Sequence, residues 1–249
     1  NHDTMTVTVI NPQIANAGTG FSICVNAATT NLPAATPAGG TWSGTGVVGN
    51  QFSPAAAGVG SYTLTYSFGS GTCFTTDTIH VTVNALPVVG VNSSAICIGS
   101  STTLTAGGAT TYNWSPSTGL SATTGASVTA SPNTTTTYTV TGTVTLTGCL
   151  NTATSTVTVH QLPVVNAGPN ISLCNQPIPD TLLGYTPSGG TWSGSGVTAA
   201  GIFTPSALGS FVLTYTYTNN FGCVNHDTMT VTVINPQIAN AGTGFSICV

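Results

Sequence analysis

The chain has 249 residues and almost no charge, with no Lys or Arg, four acidic residues and 2% charged side chains in all. In an ordinary soluble domain, about a quarter of the residues are charged. Without cationic side chains it cannot neutralise nucleic-acid phosphates, form Schiff bases or hold phosphate in a Lys-containing loop. The composition therefore excludes nucleic acid as a partner and leaves little material for acid–base catalysis.

The uncharged residues favour strands. The chain contains 50 Thr and is 40% hydrophobic, and Thr, Val and Tyr are enriched in strands. No run reaches the roughly 18 apolar residues that would predict a transmembrane helix. We therefore predict an all-β protein with few helices and no membrane insertion in this segment.

The sequence repeats on two scales. Residues 1–25 recur unchanged as residues 225–249, which gives a period of 224 residues. Identity over so long a segment indicates a tandem array, so we expect this chain to belong to a longer repetitive protein.

A weaker repeat of about 75 residues divides each period into three modules. GGTWSG at 39–44 returns at 189–194, and GSYTLTY at 60–66 matches GSFVLTY at 209–215. The predicted order is: residues 1–10, last strand of a preceding module; 11–84, module A; 85–160, module B; 161–234, module C; 235–249, start of the next module A.

Apolar and polar residues alternate within the modules. DTIHVTVN at 77–84 places Ile79, Val81 and Val83 on one face, and DTMTVTVI at 227–234 repeats the pattern. This period is typical of antiparallel sheets over a core, and regularly spaced turn signals predict small Ig-like β-sandwich domains. Short prolyl junctions such as VTVNALPVV favour a stiff rod or filament.

The seven cysteines follow the modules. Two cysteines lie about 50 residues apart in each module, so the spacing predicts the pairs Cys24–Cys73, Cys97–Cys149 and Cys174–Cys223. Cys248 repeats Cys24 and is expected to pair within the next copy. Metal thiolates or redox thiols are the alternatives, but no CxxC or Cys/His cluster accompanies them. Disulfides imply an oxidising location.

Each module has one Trp after its first cysteine: Trp42, Trp114 and Trp192. The Cys–Trp–Cys order resembles that of immunoglobulin domains, although the second cysteine here follows the Tyr-rich strand and lies in a turn. We predict core packing for these side chains rather than stacking on sugars.

The phrases GGTWSGxGV, FxPxxxGxGSYxLTY and GCxxxDTxTVTV, with TGLSATTGASVTASPNTTTTYTVTG in module B, resemble a known family. They are similar to Ig-like tandem repeats of giant Bacteroidota cell-surface proteins, including gliding-motility adhesins, that use type IX secretion. The resemblance covers all three modules. It implies an extracellular or cell-surface location.

All four Asp residues stand in Asp-Thr-apolar triplets. The triplet resembles the general O-glycosylation signal of Bacteroidota, which implies covalent O-glycans on Thr4, Thr78, Thr181 and Thr228. The alternative is that each Asp marks a turn before a strand.

Other sites have weaker signals. His2, His80, His160 and His226 lack metal-ligand spacing, and no GxSxG elbow accompanies the many serines. We therefore predict that the chain is not an enzyme and has no resident cofactor. Ca²⁺ between modules is an alternative with little support, because the sequence has no acidic cluster. Thr-x-Thr arrays are typical of ice-binding surfaces, but solvent-facing strand residues explain them more simply.

The principal functional hypothesis is a structural extracellular filament or stalk of disulfide-stapled, O-glycosylated Ig-like repeats, whose partners are neighbouring repeats or filament strands. A surface adhesin that binds glycans or a host surface is the first alternative. A pilin subunit, in which residues 1–10 complete a neighbour's sheet, is the second.

Overall fold

A computed structural model describes residues 3–5, 11, 13–70 and 73–235. These residues form two compact units. Unit 1 contains residues up to 94, 101–130 and 136–157, and unit 2 contains residues 95–100, 131–135 and those from 158 onward. Most of the predicted strand at 1–10, and of the next module from 235, lies outside the described residues.

Module A contains seven strands and one helical turn. They are β1 (Phe21–Cys24), β2 (Thr30–Asn31), β3 (Thr41–Ser43), β4 (Val47–Val48), β5 (Gln51–Phe52), α1 (Pro54–Ala57), β6 (Gly60–Ser70) and β7 (Cys73–Asn84). One sheet has the order β1-β7-β6-β3 and the other β2-β5-β4. Ser53 caps the N-terminus of α1, because its hydroxyl accepts a hydrogen bond from the Ala56 N–H.

Modules B and C repeat this plan with variations. Module B contains β8 (Gly90–Val91), β9 (Ser94–Cys97), β10 (Thr102–Gly107), β11 (Thr111–Ser115), β12 (Ser127–Ala130), β13 (Thr136–Thr143) and β14 (Leu150–His160). Its sheets are β12-β10-β8 and β11-β13-β14-β9. Module C contains β15 (Ile171–Cys174), β16 (Asp180–Thr181), β17 (Thr191–Ser193), β18 (Ile202–Phe203), β19 (Gly209–Thr218) and β20 (Val224–Ile234), in sheets β15-β20-β19-β17 and β16-β18.

The two sheets of a module share one core. In module A, Phe52 of the small sheet packs with Leu64 and Val81 of the large one. In module C, Phe203 packs with Leu213 and Val231 in the same way. The alternation in β7 and β20 positions their apolar residues as predicted, with Ile79, Val81 and Val83 buried in β7. The prediction of an all-β tandem of small Ig-like β-sandwiches is confirmed.

In modules A and C the first strand runs parallel to the last strand, beside which it lies. Phe21 is opposite Val81 and Cys24 is opposite Asn84. Module C repeats this pairing between β15 and β20, where Cys174 is opposite Ile234. The parallel arrangement brings the end of the first strand to the same end of the module as the end of the last strand.

The GGTWSG motif depends on close approach of its second glycine to a buried tyrosine. A Cβ built at Gly40 would overlap with the Tyr66 ring, and a Cβ at Gly190 would lie 2.6 Å from Cζ of Tyr215. The Gly40 N–H donates to the Tyr66 hydroxyl at 2.7 Å, and Gly190 donates to Tyr215 at the same distance. Both motifs therefore hold a short edge strand against the core.

Candidate functional site: bridges between modules

The two cysteines of a module lie at opposite ends of its last strand. We define the leading end of a module as the end where this strand begins, next to Cys73, Cys149 or Cys223. The trailing end is the end where it stops, at Asn84, His160 or Ile234. Cys24 and Cys174 lie at trailing ends by their register. Cys97 does too, because the next residue, Ile98, donates its N–H to the His160 carbonyl.

This placement shows that the predicted pairing within modules is wrong. Strand β7 has 12 residues, from Cys73 to Asn84 inclusive, and is therefore about 36 Å long. Disulfides require Cα atoms roughly 4.4–6.8 Å apart. The pairs Cys24–Cys73, Cys97–Cys149 and Cys174–Cys223 therefore cannot form inside a folded module.

The structure instead joins the first cysteine of one module to the second cysteine of the next. Cys24 is bonded to Cys149 and Cys97 to Cys223, each with a Cα–Cα distance of 5.6 Å. The partners are 125 and 126 residues apart in the sequence. The first bridge lies wholly within unit 1 and the second wholly within unit 2.

Two of the described cysteines, Cys73 and Cys174, are free and exposed. The four bonded cysteines are less exposed. Cys149 and Cys223 are fully buried, and Cys24 and Cys97 are half-buried. Cys248 lies outside the described residues.

Hydrogen bonds attach the segment that leads into each module to the beginning of its last strand. Asn151 donates to the Pro87 carbonyl at 3.1 Å, and Asn225 donates to the Pro163 carbonyl at 2.9 Å. Thr75 occupies the same position in module A and donates to the Gln13 carbonyl at 2.7 Å. The leading end of each module is therefore fixed beside its second cysteine.

Further contacts surround the second bridge. The ring of His160 stacks on Phe221 with centroids 3.9 Å apart. Asn219 donates to the Gln161 carbonyl at 3.2 Å, and its own side-chain oxygen accepts the Cys223 N–H. The turn that carries Cys223 is therefore held in place by several contacts besides its sulfur.

Two of the Asp residues have a structural role. Oδ2 of Asp77 accepts the Ala17 N–H at 2.8 Å, and Oδ2 of Asp227 accepts the Ala167 N–H at 2.9 Å. The bonds from Ala17 and then from Thr78 hold the pKa of Asp77 below its usual value. Bonds from Ala167 and then Thr228, with a smaller contribution from His226, do the same for the pKa of Asp227.

The threonines that follow the four Asp residues are all exposed: Thr4, Thr78, Thr181 and Thr228. Thr78 and Thr228 lie on the long last strands β7 and β20, on the face opposite the core, and Thr181 lies on the short strand β16. Each hydroxyl is therefore accessible to a modifying enzyme.

The three tryptophans pack in or against the hydrophobic cores of their modules. Trp114 and Trp192 are buried, and Trp42 is half-buried against Tyr66 at a centroid distance of 5.3 Å. The prediction of core packing is confirmed for Trp114 and Trp192. The Nε1–H of Trp114 donates to the Gly125 carbonyl at 2.9 Å, whereas Nε1 of Trp192 is buried without a partner.

Among the described residues, no three His, Cys, Asp or Glu side chains gather in a way that could hold a metal ion. His80 contacts Thr63 on the outer face of its sheet at 3.2 Å. In the described part of the chain, no helix has the length and hydropathy needed to cross a bilayer.

The comparisons with known proteins find shared architecture only. No protein-family model matches, and no curated protein does. Among solved structures, extracellular domains 3–5 of Drosophila OTK are 11% identical with a TM-score of 0.32, over 89% of this chain and 96% of that one. The titin I-band fragment I67–I69 is 11% identical with a TM-score of 0.36, over 86% and 95%.

A Ca²⁺-stabilised adhesin with which an Antarctic bacterium binds ice is 13% identical with a TM-score of 0.38, over 85% of this chain and 69% of that one. At these TM-scores the matches carry no argument about function. The two disulfides are typical of secreted or extracellular proteins.

Proposed function

We propose that this chain is a section of an extracellular structural filament or stalk, built from tandem Ig-like modules that are covalently bridged from one module to the next. The observation that carries the proposal is the pairing of Cys24 with Cys149 and of Cys97 with Cys223. A bridge between consecutive modules gives a second covalent connection beside the backbone. This is useful where a chain must transmit tension.

The position of the bridges suits this mechanical role. A load that arrives at Cys149 passes along β14 to His160, at the trailing end of module B. There it continues along the backbone, or crosses the neighbouring strand β9 to Cys97 and its bridge to Cys223. Strands loaded along their length share the force among many hydrogen bonds at once. The unchanged recurrence of residues 1–25 supports repetition of this arrangement along a longer chain.

The second part of the proposal is O-glycosylation of Thr4, Thr78, Thr181 and Thr228. Their exposure supports it, and so does the lack of charge. Lysines commonly protect sheet edges from pairing with other molecules, and this chain has none. A coat of glycans would keep the filament soluble. The carboxylate bonds of Asp77 and Asp227 explain two of the four Asp residues without glycans, so the modification needs its own test.

The adhesin and pilin alternatives have less support. An adhesin that stacks sugars on tryptophan would expose the indole rings, whereas Trp114 and Trp192 are buried. The pilin hypothesis depends on residues 1–10, most of which lie outside the described residues.

A denaturing gel under reducing conditions tests the filament. A continuous tandem chain migrates far above the 24.7 kDa of this segment, whereas separate subunits migrate near that mass.

Mass mapping of peptides tests the glycans. Hexose-containing adducts on the four threonines support the proposal, and unmodified peptides at all four positions contradict it.

A further inference from the structure

Cys73 and Cys174 occupy the same positions as the bonded cysteines. Cys174 ends the first strand of module C, as Cys24 ends the first strand of module A. In module B the equivalent Cys97 ends β9, the strand beside the last strand β14. Cys73 begins the last strand of module A, as Cys149 and Cys223 directly precede β14 and β20. Each free cysteine therefore lacks only the neighbouring module that would carry its partner.

The repeat supplies that neighbour. With a period of 224 residues, module C is followed by another module A, whose Cys73 lies 123 residues after Cys174 (73 plus 224 minus 174). The formed bridges join cysteines 125 and 126 residues apart. We infer that Cys174 and the Cys73 of the following period form a third inter-module disulfide, so that a bridge crosses every junction of the array. The inference rests on the proposed function, because it requires tandem periods.

Burial is consistent with this partner. Cys149 and Cys223 are fully buried where the preceding module is bonded to them, whereas Cys73 is exposed. Cys174 is likewise exposed, beside an open cleft of about 210 Å³ lined by Leu173, Ile178 and Pro179 among others. The exposed thiols lie at the two ends of the period, where the repeat predicts an adjoining module.

Formation of the bridge is a two-electron oxidation by thiol–disulfide exchange. The Cys174 thiolate attacks a small-molecule or protein disulfide, which releases one thiolate and leaves a mixed disulfide on Cys174. The Cys73 thiolate of the next period then attacks the Cys174 sulfur and releases the second thiolate. The S–S bond forms, and the oxidant takes up two electrons and two protons as two thiols.

A bridge at every junction would create a continuous covalent path through the array. The path runs from Cys149 to Cys174, crosses to Cys73 of the next period, continues to Cys97, and crosses to Cys223. The first stretch consists of β14, a junction and β15, and the second consists of β7, a junction and the short strands β8 and β9. Most residues on these two stretches therefore lie in extended strands already, so tension on the array would lengthen the path only a little.

Peptide mapping of the native protein tests the third bridge. The protein is purified without reductant, alkylated and digested with pepsin, because it has no tryptic sites and acid suppresses disulfide exchange. A linked pair of peptides that contain Cys73 and Cys174 supports the inference. Alkylated Cys73 and Cys174 throughout the native array overturn it.

Thiol counting adds a test with matched variants, in a secreted chain of two periods (residues 1–249 followed by another copy of 26–249). With the third bridge it has three free thiols: Cys73 of the first period, Cys174 of the second and the final cysteine. C174S in the first period frees its partner and gives four, whereas C174S in the second gives two. Five thiols in the unchanged chain and four in each variant overturn the inference.

The reducing gel separates the two proposals. A very large chain with free Cys73 and Cys174 retains the filament and overturns the bridge. Subunits near 24.7 kDa that still yield the linked peptides reject the tandem array. In that case the bond joins separate chains, and the inferred bridge between successive periods of one chain is overturned together with the array.

Discussion

The side chains of Asp77 and Asp227 each attach the leading end of a module to the segment that enters it. Each carboxylate lies on the last strand and accepts a backbone N–H from the segment that leads into the module, at Ala17 or Ala167. A hydrogen bond to an ionised acceptor is stronger than a neutral one. The two residues therefore make the attachment of this segment sensitive to acid.

We expect Asp77→Asn with Asp227→Asn to lower the unfolding temperature at pH 7 and to flatten its pH dependence. Because folding lowers both pKa values, their stabilising effect is full above the unfolded-state pKa of about 3.9 and is lost as the pH falls through the lower folded value. The wild-type chain should therefore lose more stability below about pH 4 than the double variant.

Thermal unfolding between neutral and acid pH measures this difference. Asp180→Asn is the control, because Asp180 is exposed and, among the described residues, no backbone N–H donates to its carboxylate. If the double variant and the wild type lose stability in parallel as the pH falls, the carboxylates do not have this role.

The buried tryptophans form a second comparison between residues. Trp114→Phe removes a hydrogen bond to Gly125, whereas Trp192→Phe removes an indole N–H that has no partner. Both substitutions remove similar volume from a core. We expect Trp114→Phe to lower the free energy of unfolding of its module by about 1 kcal/mol more than Trp192→Phe does in its own.

Native-state hydrogen exchange, followed on buried strand amides of each module, gives the two values separately. Equal losses of unfolding free energy in the two variants would show that the hydrogen bond from Trp114 to Gly125 makes no net contribution to stability.

At the scale of elements, β17 depends on the absence of a side chain at the preceding residue. Gly190 donates its N–H to the Tyr215 hydroxyl, which itself donates to the Pro187 carbonyl at 2.6 Å. A Cβ at Gly190 would overlap with the Thr216 carbonyl oxygen as well as the tyrosine ring. The second glycine of GGTWSG is thus required by packing of the edge strand on β19.

We expect Gly190→Ala to destabilise module C by about 2 kcal/mol, because the new Cβ would overlap with the backbone of β19 and with the ring of a fully buried tyrosine. Gly90→Ala is the matched control, since a Cβ there meets nothing within 4 Å and the backbone is not in the left-handed region. Urea unfolding of the two variants gives the comparison. Equal stability would contradict the close approach at Gly190.

At the scale of the whole molecule, the bridges determine how far the chain can be stretched. A fully reduced period of 224 residues extends to about 780 Å. With the two observed bridges, the shortest covalent path has about 77 residues per period, or about 270 Å. With the third bridge it has about 37 residues, or about 130 Å.

Single-molecule stretching of the native array to its contour length should therefore give about one-sixth of the reduced value per period. Addition of reductant provides the control on the same molecule. A contour length near 270 Å per period would indicate that only the two observed bridges form, and a length unaffected by reductant would contradict all of the bridges.

The sequence alone predicts much of the fold. Alternation in DTIHVTVN and DTMTVTVI identifies the long last strands and their buried faces, because burial of one face of a sheet requires a period of two. The repeated GGTWSG and LTY phrases show that the modules share one plan. The exposed positions of Thr78 and Thr228 follow from the same alternation.

The pairing of the cysteines was decided only by the tertiary structure. The equal spacings of Cys24–Cys73 and Cys174–Cys223 predicted closed loops inside the modules, but spacing along a chain does not show which ends meet in space. The first strand lies parallel to the last, a contact between residues such as Cys24 and Asn84 that are far apart in sequence. That contact places the two cysteines of a module at opposite ends, and each sulfur finds its partner in the adjoining module.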